Sequence, residues 1–133
     1  MADKAQTWVY TEDYVAESDA LTAARAVATE MGASPVSAGT GAALRMLAAV
    51  SGARAVLEVG TGAGVSGLWL LDGMAADGLL TTIDSESELL GHARRNFPAA
   101  CLSSHRPPLI ARRPLSVLPR LAAPGFPMAV PLG

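Results

Sequence analysis

The sequence has few cysteines and histidines and no long apolar run. It contains one cysteine, Cys101, and two histidines, so no internal disulfide can form and no usual zinc-ligand spacing is present. No stretch approaches the roughly 18 apolar residues of a membrane helix, and the amino terminus lacks a basic segment followed by a long apolar run. These absences predict a cytoplasmic protein without an export signal or a membrane partner.

Acidic residues are missing from the last third of the chain. All 12 Asp and Glu residues lie at or before Glu88, whereas six of the ten Lys and Arg residues follow it. Eight of the nine prolines lie from Pro98 onward, and proline removes a backbone donor wherever it occurs. With 133 residues the length predicts one domain, whose composition changes character near residue 98.

Clustered arginines in this tail raise the question of nucleic-acid binding, since positive charge attracts phosphates. No aromatic residues are interleaved with them and no nucleic-acid-binding motif accompanies them. We therefore expect no nucleic-acid partner. The arginines concerned are Arg94, Arg95, Arg106, Arg112, Arg113 and Arg120.

Capping residues and apolar periodicity predict two helices in the first 50 residues. Ser18 can cap a helix over 18–31 that ends at Gly32, and Ser37 can cap a second helix that runs to about Val50. The segment upstream of Thr11 is expected to be mobile.

A strand, helix and strand follow these two helices. Residues 55–59 form a short, nearly continuous apolar run, which is typical of a strand buried on both faces of a parallel sheet. The next helix ends near 72–73 and carries Trp69 on its apolar face, which favours a core position over an adenine platform. A second strand is predicted at 79–83. A helix at 86–97 and a weak third strand at 109–111 complete an α/β pattern.

Three glycines lie where the first strand turns into the following helix. Gly60, Gly62 and Gly64 permit positive φ and a close approach of backbone to ligand. The helix amino terminus beyond them suits either a phosphate or the carboxylate of a methionine moiety. Residues 62–67 also match the dinucleotide pattern GxGxxG, and Asp84 could bind ribose hydroxyls in either case. An NAD-binding oxidoreductase half-domain is therefore an alternative.

An acidic residue before the glycines separates these possibilities. The pattern Glu58-x-Gly60-x-Gly62-x-Gly64 resembles motif I of class I methyltransferases, and dinucleotide sites usually have no such acid. The longer run 56–71, the sequence at 82–84 and the sequence at 34–37 resemble the catechol O-methyltransferase-like bacterial family. The resemblance implies an α/β, Rossmann-like class I methyltransferase fold. This chain would hold its N-terminal cofactor-binding half with two preceding helices.

The same resemblance implies an activity and a cofactor site. It implies an S-adenosylmethionine-dependent O-methyltransferase that methylates a hydroxyl of a small molecule. Val36, through its backbone, and Ser66 would lie near the methionine end of the cofactor, and Asp84 would bind the ribose. The residues around the turn would be Glu58, Gly60 and Thr61. Read without the resemblance, Ser66 could cap a helix, Val36 could serve packing and Glu58 could be held for structural reasons.

The family's metal site cannot be placed on this sequence. The family holds a divalent cation, Mg²⁺, with carboxylates and an asparagine after its fourth and fifth strands, and a lysine commonly assists deprotonation. No acid follows Glu88 and the one lysine is Lys4. Metal ligands and catalytic residues therefore stay unassigned, and a non-catalytic remnant that binds the cofactor or a partner is a second alternative.

These observations predict one partial methyltransferase domain over 1–133. It comprises a family-like cofactor-binding part at 11–97 and a divergent Pro- and Arg-rich tail at 98–133, as expected for a chain truncated or degraded after about residue 98. Such a chain would leave the first strand with an unpaired apolar edge. A homo-oligomer formed through that edge is the expected consequence.

Overall fold

The fold alternates helices and strands, as the sequence predicts. The computed structural model describes residues 3–100, 109–111, 114–121 and 130–131. Its elements are, in chain order, α1 Lys4–Tyr14, α2 Asp19–Glu30, α3 Ala38–Val50, β1 Ala55–Val59, α4 Val65–Gly73, β2 Leu79–Asp84, α5 Ser87–Ala100, β3 Leu109–Ala111, α6 Pro114–Leu121 and β4 Val130–Pro131. None of the helices in the described residues is both long and apolar enough to cross a membrane.

The described strands form a parallel sheet in the order β3-β2-β1-β4. Helix α4 makes the crossover from β1 to β2, as parallel neighbours require. In the register of this pair Val59 lies beside Ile83, so the residues that follow both strands meet at one edge. Gly60 and Asp84 are thereby brought together. The α/β class and the strands at 55–59, 79–83 and 109–111 are confirmed.

The prediction that β1 has an unpaired edge is wrong. Val56 pairs with Val130 and Leu57 pairs with Pro131, so β1 lies between β2 and β4. Backbone pairing needs carbonyl and amide groups rather than a particular side chain, and a two-residue strand can supply them although one residue is a proline. The homo-oligomer inferred from that edge stays a prediction, now without the edge that motivated it.

The two predicted N-terminal helices are confirmed together with their caps. The Ser18 hydroxyl accepts a hydrogen bond from the Leu21 amide at 3.3 Å, and the Ser37 hydroxyl accepts one from the Thr40 amide at 3.2 Å. The segment expected to be mobile instead forms α1, capped by Asp3. Helix α1 has no buried residue, so no apolar stripe marked it in the sequence.

The main hydrophobic core lies between the sheet and helices α2 to α5. Trp69 is 1% exposed, which confirms its predicted place in the core. The indole lies directly on α3, because a Cβ added at Gly41 would be 2.2 Å from its Nε1 atom. Helix α6 contributes Val117 to a second cluster with Leu57 and Ile83, so this part of the tail packs against the sheet.

Candidate functional site

The glycine turn after β1 adopts a backbone that only glycine accepts readily. Gly60, Gly62 and Gly64 have φ values of 96°, 52° and 95°. The Gly60 amide donates to the Ile83 carbonyl and the Gly64 amide donates to the Thr61 carbonyl, each at 2.9 Å. Gly64 is the N-cap of α4 and provides no side-chain cap. The first turn of α4 therefore keeps amide groups that a ligand can use.

Asp84 joins the end of β2 to this turn. Its Oδ2 atom accepts a hydrogen bond from the Gly62 amide at 2.8 Å, and its Oδ1 atom accepts one from the Glu86 amide at 2.9 Å. An ionised carboxylate has about four acceptor positions. Asp84 thus keeps the capacity to accept hydrogen bonds from a ligand while it fixes the turn.

Glu58 lies beneath the turn in a network of hydroxyl groups. Its side chain is buried, the Ser66 hydroxyl donates to Oε1, and the Thr82 hydroxyl donates to Oε2 at 2.7 Å. Thr61 and Thr82 share a further hydrogen bond of 2.6 Å. Burial raises the pKa of the Glu58 carboxyl, the two hydroxyl donors oppose this rise, and the charge of Asp84 adds to it. Ser66 therefore binds Glu58, and the N-cap of α4 is Gly64.

A cavity of about 90 Å³ lies between the glycine turn and the α2–α3 loop, residues 31–37. Val36, Gly60, Thr61 and Ser66 all line it, so four of the six predicted site residues meet at one cavity. Glu58 and Asp84 do not line it: Glu58 contacts the lining residue Ser66, and Asp84 contacts the lining residue Gly62. The remaining lining residues are Ala28, Ala33, Ser34, Pro35, Gly62, Ala63 and Val65.

Two side chains that the sequence did not single out hold the walls of this cavity. The Asn96 side-chain amide donates to the Ala63 carbonyl at 3.0 Å. The Arg25 guanidinium donates to the Val36 carbonyl at 2.8 Å and also forms an ion pair with Glu17. Neither contact has a sequence signal, because each joins a helix to a separate loop or turn, with partners 33 and 11 residues apart in the chain.

The α2–α3 loop separates this cavity from a larger open cleft of about 740 Å³. Ala33, Ser34 and Pro35 line both spaces. The cleft side of the loop faces Glu12, Glu17 and Arg25 among others. The loop is therefore a thin wall whose position sets the shape of the cavity beside the glycine turn.

The divalent-cation site implied by the resemblance does not form in the part of the chain that the structure describes. Within those residues no group of three or more His, Cys, Asp and Glu side chains could hold a metal ion. Glu58 accepts hydrogen bonds from two hydroxyl groups, and Asp84 accepts hydrogen bonds from two backbone amides. The residues that the structure describes thus do not fit that metal.

Comparison with known proteins gives one consistent family. The O-methyltransferase family pattern matches residues 5–123. A protein of Mycobacterium tuberculosis named a probable O-methyltransferase is 51% identical over 115 residues, covering 86% of this chain and 51% of its own length.

Solved structures agree with this match. The O-methyltransferase TomG of Streptomyces achromogenes, involved in tomaymycin synthesis and solved with S-adenosylmethionine, superposes with a TM-score of 0.78 at 33% identity. That match covers 88% of this chain and 53% of TomG. An O-methyltransferase of Bacillus cereus solved with S-adenosylhomocysteine has a TM-score of 0.76 at 26% identity, covering 88% and 54%.

The chain spans about half the length of the relatives it matches. Within that half it has the parallel sheet and the glycine turn of a Rossmann-like class I methyltransferase, and its neighbours are O-methyltransferases solved with S-adenosylmethionine or its product. These findings favour the methyltransferase interpretation over an NAD-binding half-domain. The chain belongs to the O-methyltransferase family.

Proposed function

We propose that this chain binds S-adenosylmethionine and forms the cofactor-binding part of an O-methyltransferase that methylates a hydroxyl group of a small molecule. The observation that carries the proposal is the cavity between the glycine turn and the α2–α3 loop, where Val36, Gly60, Thr61 and Ser66 meet. Relatives of the same fold that were solved with S-adenosylmethionine or S-adenosylhomocysteine support it.

Each part of the site suits one part of the cofactor. The uncapped amino terminus of α4 and the backbone of the turn provide donors and a partial positive charge for the methionine carboxylate. Val36 and Ser66 both line the cavity. Asp84, which contacts the turn at Gly62, has acceptor capacity left for the ribose hydroxyls. Glu58 holds Ser66 and Thr82 and so supports the turn from below.

When bound, the cofactor would supply a methyl group on a sulfonium: an oxygen nucleophile attacks the methyl carbon in line with the C–S bond, and S-adenosylhomocysteine leaves as that bond breaks. The contribution of the described residues is to bind and orient that group, which lowers the barrier by fixing the reacting geometry. We assign no residue to deprotonation of the acceptor hydroxyl. A cofactor-binding protein without turnover is therefore the second candidate function, and a cytoplasmic location is part of the proposal for both.

Calorimetric titration and methyl transfer test the proposal in sequence. S-Adenosylhomocysteine should bind with saturable heat, and at a concentration of about 100 Kd it should stabilise the folded protein by about 2.7 kcal/mol. NAD should do neither. Incubation with isotopically labelled S-adenosylmethionine and a panel of small phenols and catechols then separates the two candidates. Labelled product indicates the transferase, whereas binding without product indicates the non-catalytic protein. Folded protein that binds no S-adenosylhomocysteine contradicts both.

A further inference from the structure

We propose that Arg25 is a positioning residue for the amino-acid end of the cofactor, acting through the carbonyl of Val36; the inference rests on the proposed function. Arg25 lies on α2 and does not line the cavity beside the glycine turn. Its effect on the ligand would be transmitted by the α2–α3 loop, which forms one wall of that cavity.

The Arg25 guanidinium uses its three nitrogens on two partners. Nε and Nη2 donate to the two carboxylate oxygens of Glu17, with an Nε–Oε2 distance of 2.8 Å, and Nη1 donates to the Val36 carbonyl at 2.8 Å. This fork-shaped arrangement fits the planar guanidinium and cannot be reproduced by the single ammonium of lysine. The carbonyl of Val36 is thereby held by a side chain that is itself fixed in orientation.

The ion pair is shielded enough to hold its geometry. The Glu17 side chain is 13% exposed and the Arg25 side chain 28% exposed, so solvent screens this pair less than a surface pair. The Arg25 hydrogen bonds lower the pKa of Glu17, burial opposes them, and the charge of Arg25 lowers this pKa further. Glu17 raises the pKa of Arg25 in turn. Both partners therefore stay charged at neutral pH.

Holding the Val36 carbonyl fixes the peptide groups that border the cavity. Ser34, Pro35 and Val36 line it, and within the described residues the Val36 amide makes no hydrogen bond. Because the guanidinium takes the carbonyl, the backbone orientation is set while the amide remains able to donate to a ligand. Opposite this wall lie Ser66 and the amino terminus of α4, where we place the methionine carboxylate.

A second side chain contacts the backbone just after the loop, in the first turn of α3. The Glu12 carboxylate accepts a hydrogen bond from the Gly39 amide at 3.3 Å, in the first turn of α3. Glu12 thus holds the first turn of α3, three residues beyond Val36, and Arg25 holds the loop itself at the Val36 carbonyl. Removing the guanidinium should loosen the loop rather than the helices on either side of it.

The test compares two ligands that share the nucleoside and differ in the amino-acid end. S-Adenosylhomocysteine carries the amino and carboxylate groups, whereas 5′-methylthioadenosine lacks them. Affinities for both are measured by calorimetry on the whole chain in the wild type, Arg25→Met and Arg25→Lys. Arg54→Met is the matched control, since Arg54 forms an exposed ion pair with Asp77. Melting temperatures confirm that each variant is folded.

Arg25→Met should weaken S-adenosylhomocysteine binding by about tenfold or more, the loss that one charge-assisted hydrogen bond to the loop implies. Binding of 5′-methylthioadenosine should change by less than about twofold, and Arg54→Met should change neither affinity. Arg25→Lys should show the same selectivity, and it decides the question if Arg25→Met does not fold.

Two results overturn this inference alone. One is a folded Arg25 variant that binds S-adenosylhomocysteine within about twofold of wild type; the other is an equal loss for both ligands, which indicates general loosening of the fold. A wild-type chain that binds neither ligand overturns the proposed function, and the inference with it.

Discussion

The amide of Gly62 donates a hydrogen bond to the carboxylate of Asp84 at 2.8 Å, which ties the end of β2 to the turn after β1. The other oxygen of the same carboxylate accepts from the Glu86 amide, so Asp84 also fixes the start of the segment leading into α5. A residue proposed to bind the ribose therefore has a structural task as well. Its substitution should change stability and ligand affinity together.

Asp84→Asn should lower the free energy of unfolding by about 1–3 kcal/mol and S-adenosylhomocysteine affinity by at least about tenfold. An asparagine offers one acceptor oxygen where the two backbone amides need two, and it removes the charge that strengthens both bonds. Urea denaturation and calorimetry measure the two effects. Asp72→Asn, which breaks an exposed pair with Arg45, should cost less than about 0.5 kcal/mol. Equal effects of the two substitutions would contradict the role given to Asp84.

The stability of Glu58→Gln relative to the wild type should increase as pH rises from 4 to 7. Burial raises the pKa of Glu58 above its ordinary value of 4.5. Below 4.5 the carboxyl is protonated in both states. Between 4.5 and the higher folded-state pKa, the unfolded chain ionises freely while burial keeps the folded carboxyl protonated. The wild type therefore loses stability that Glu58→Gln keeps.

Urea denaturation of both proteins at pH 4, 5.5 and 7 checks this dependence. The exposed substitution Glu30→Gln provides the control for net charge and should run parallel to the wild type. A Glu58→Gln variant whose disadvantage grows with pH would show that the buried carboxylate is favoured as an anion, contrary to the account of its burial.

Alanine at two glycines should have opposite effects on stability. Gly64 has φ 95°, and a Cβ there would be 3.3 Å from Ala93 and Phe97, so Gly64→Ala should cost about 2 kcal/mol through backbone strain and crowding. Gly91 lies inside α5 with open space at its Cβ, so Gly91→Ala should stabilise by about 0.5–1 kcal/mol through helix propensity. Thermal unfolding distinguishes them; a neutral Gly64→Ala would contradict the assigned turn geometry.

The contact between α3 and Trp69 should depend on the absence of a side chain at Gly41. Gly41→Ala would place a Cβ 2.2 Å from the indole Nε1 atom, and such overpacking costs about 1–3 kcal/mol. In the double variant Gly41→Ala with Trp69→Phe, the smaller ring should recover part of that loss. Chemical denaturation of the four proteins gives the coupling; strictly additive effects would mean that the two residues do not meet.

Much of the fold could be predicted because its signals are local. Ser18 and Ser37 cap α2 and α3 as the sequence predicts, and the apolar run at 55–59 is a strand. The glycine turn could be placed for the same reason, since strand, glycines and helix are contiguous in sequence. The sequence predicted Asp84 as a ribose-binding residue, and its contact with the turn follows from the parallel register of β1 and β2, which end at the same edge of the sheet.

The features that the sequence did not predict depend on distant contacts. Arg25 reaches Val36 only because α2 and the following loop fold back on one another. β4 pairs with β1 through backbone groups, although the paired residues are more than 70 positions apart in the chain. No side-chain pattern in the sequence predicts such a pairing. Helix α1 is missed for a different reason, since it buries none of its residues and so has no apolar period.

The most direct test of the account is to map the binding site of S-adenosylhomocysteine on the isotopically labelled chain by NMR. At 13.6 kDa the protein is small enough for an amide-resolved titration. The account predicts that the amides shifted most, with a common Kd, are those of residues 33–37, 60–66 and 84–86. Saturable shifts confined to α1 and α3, or a folded protein whose spectrum does not change, would contradict it.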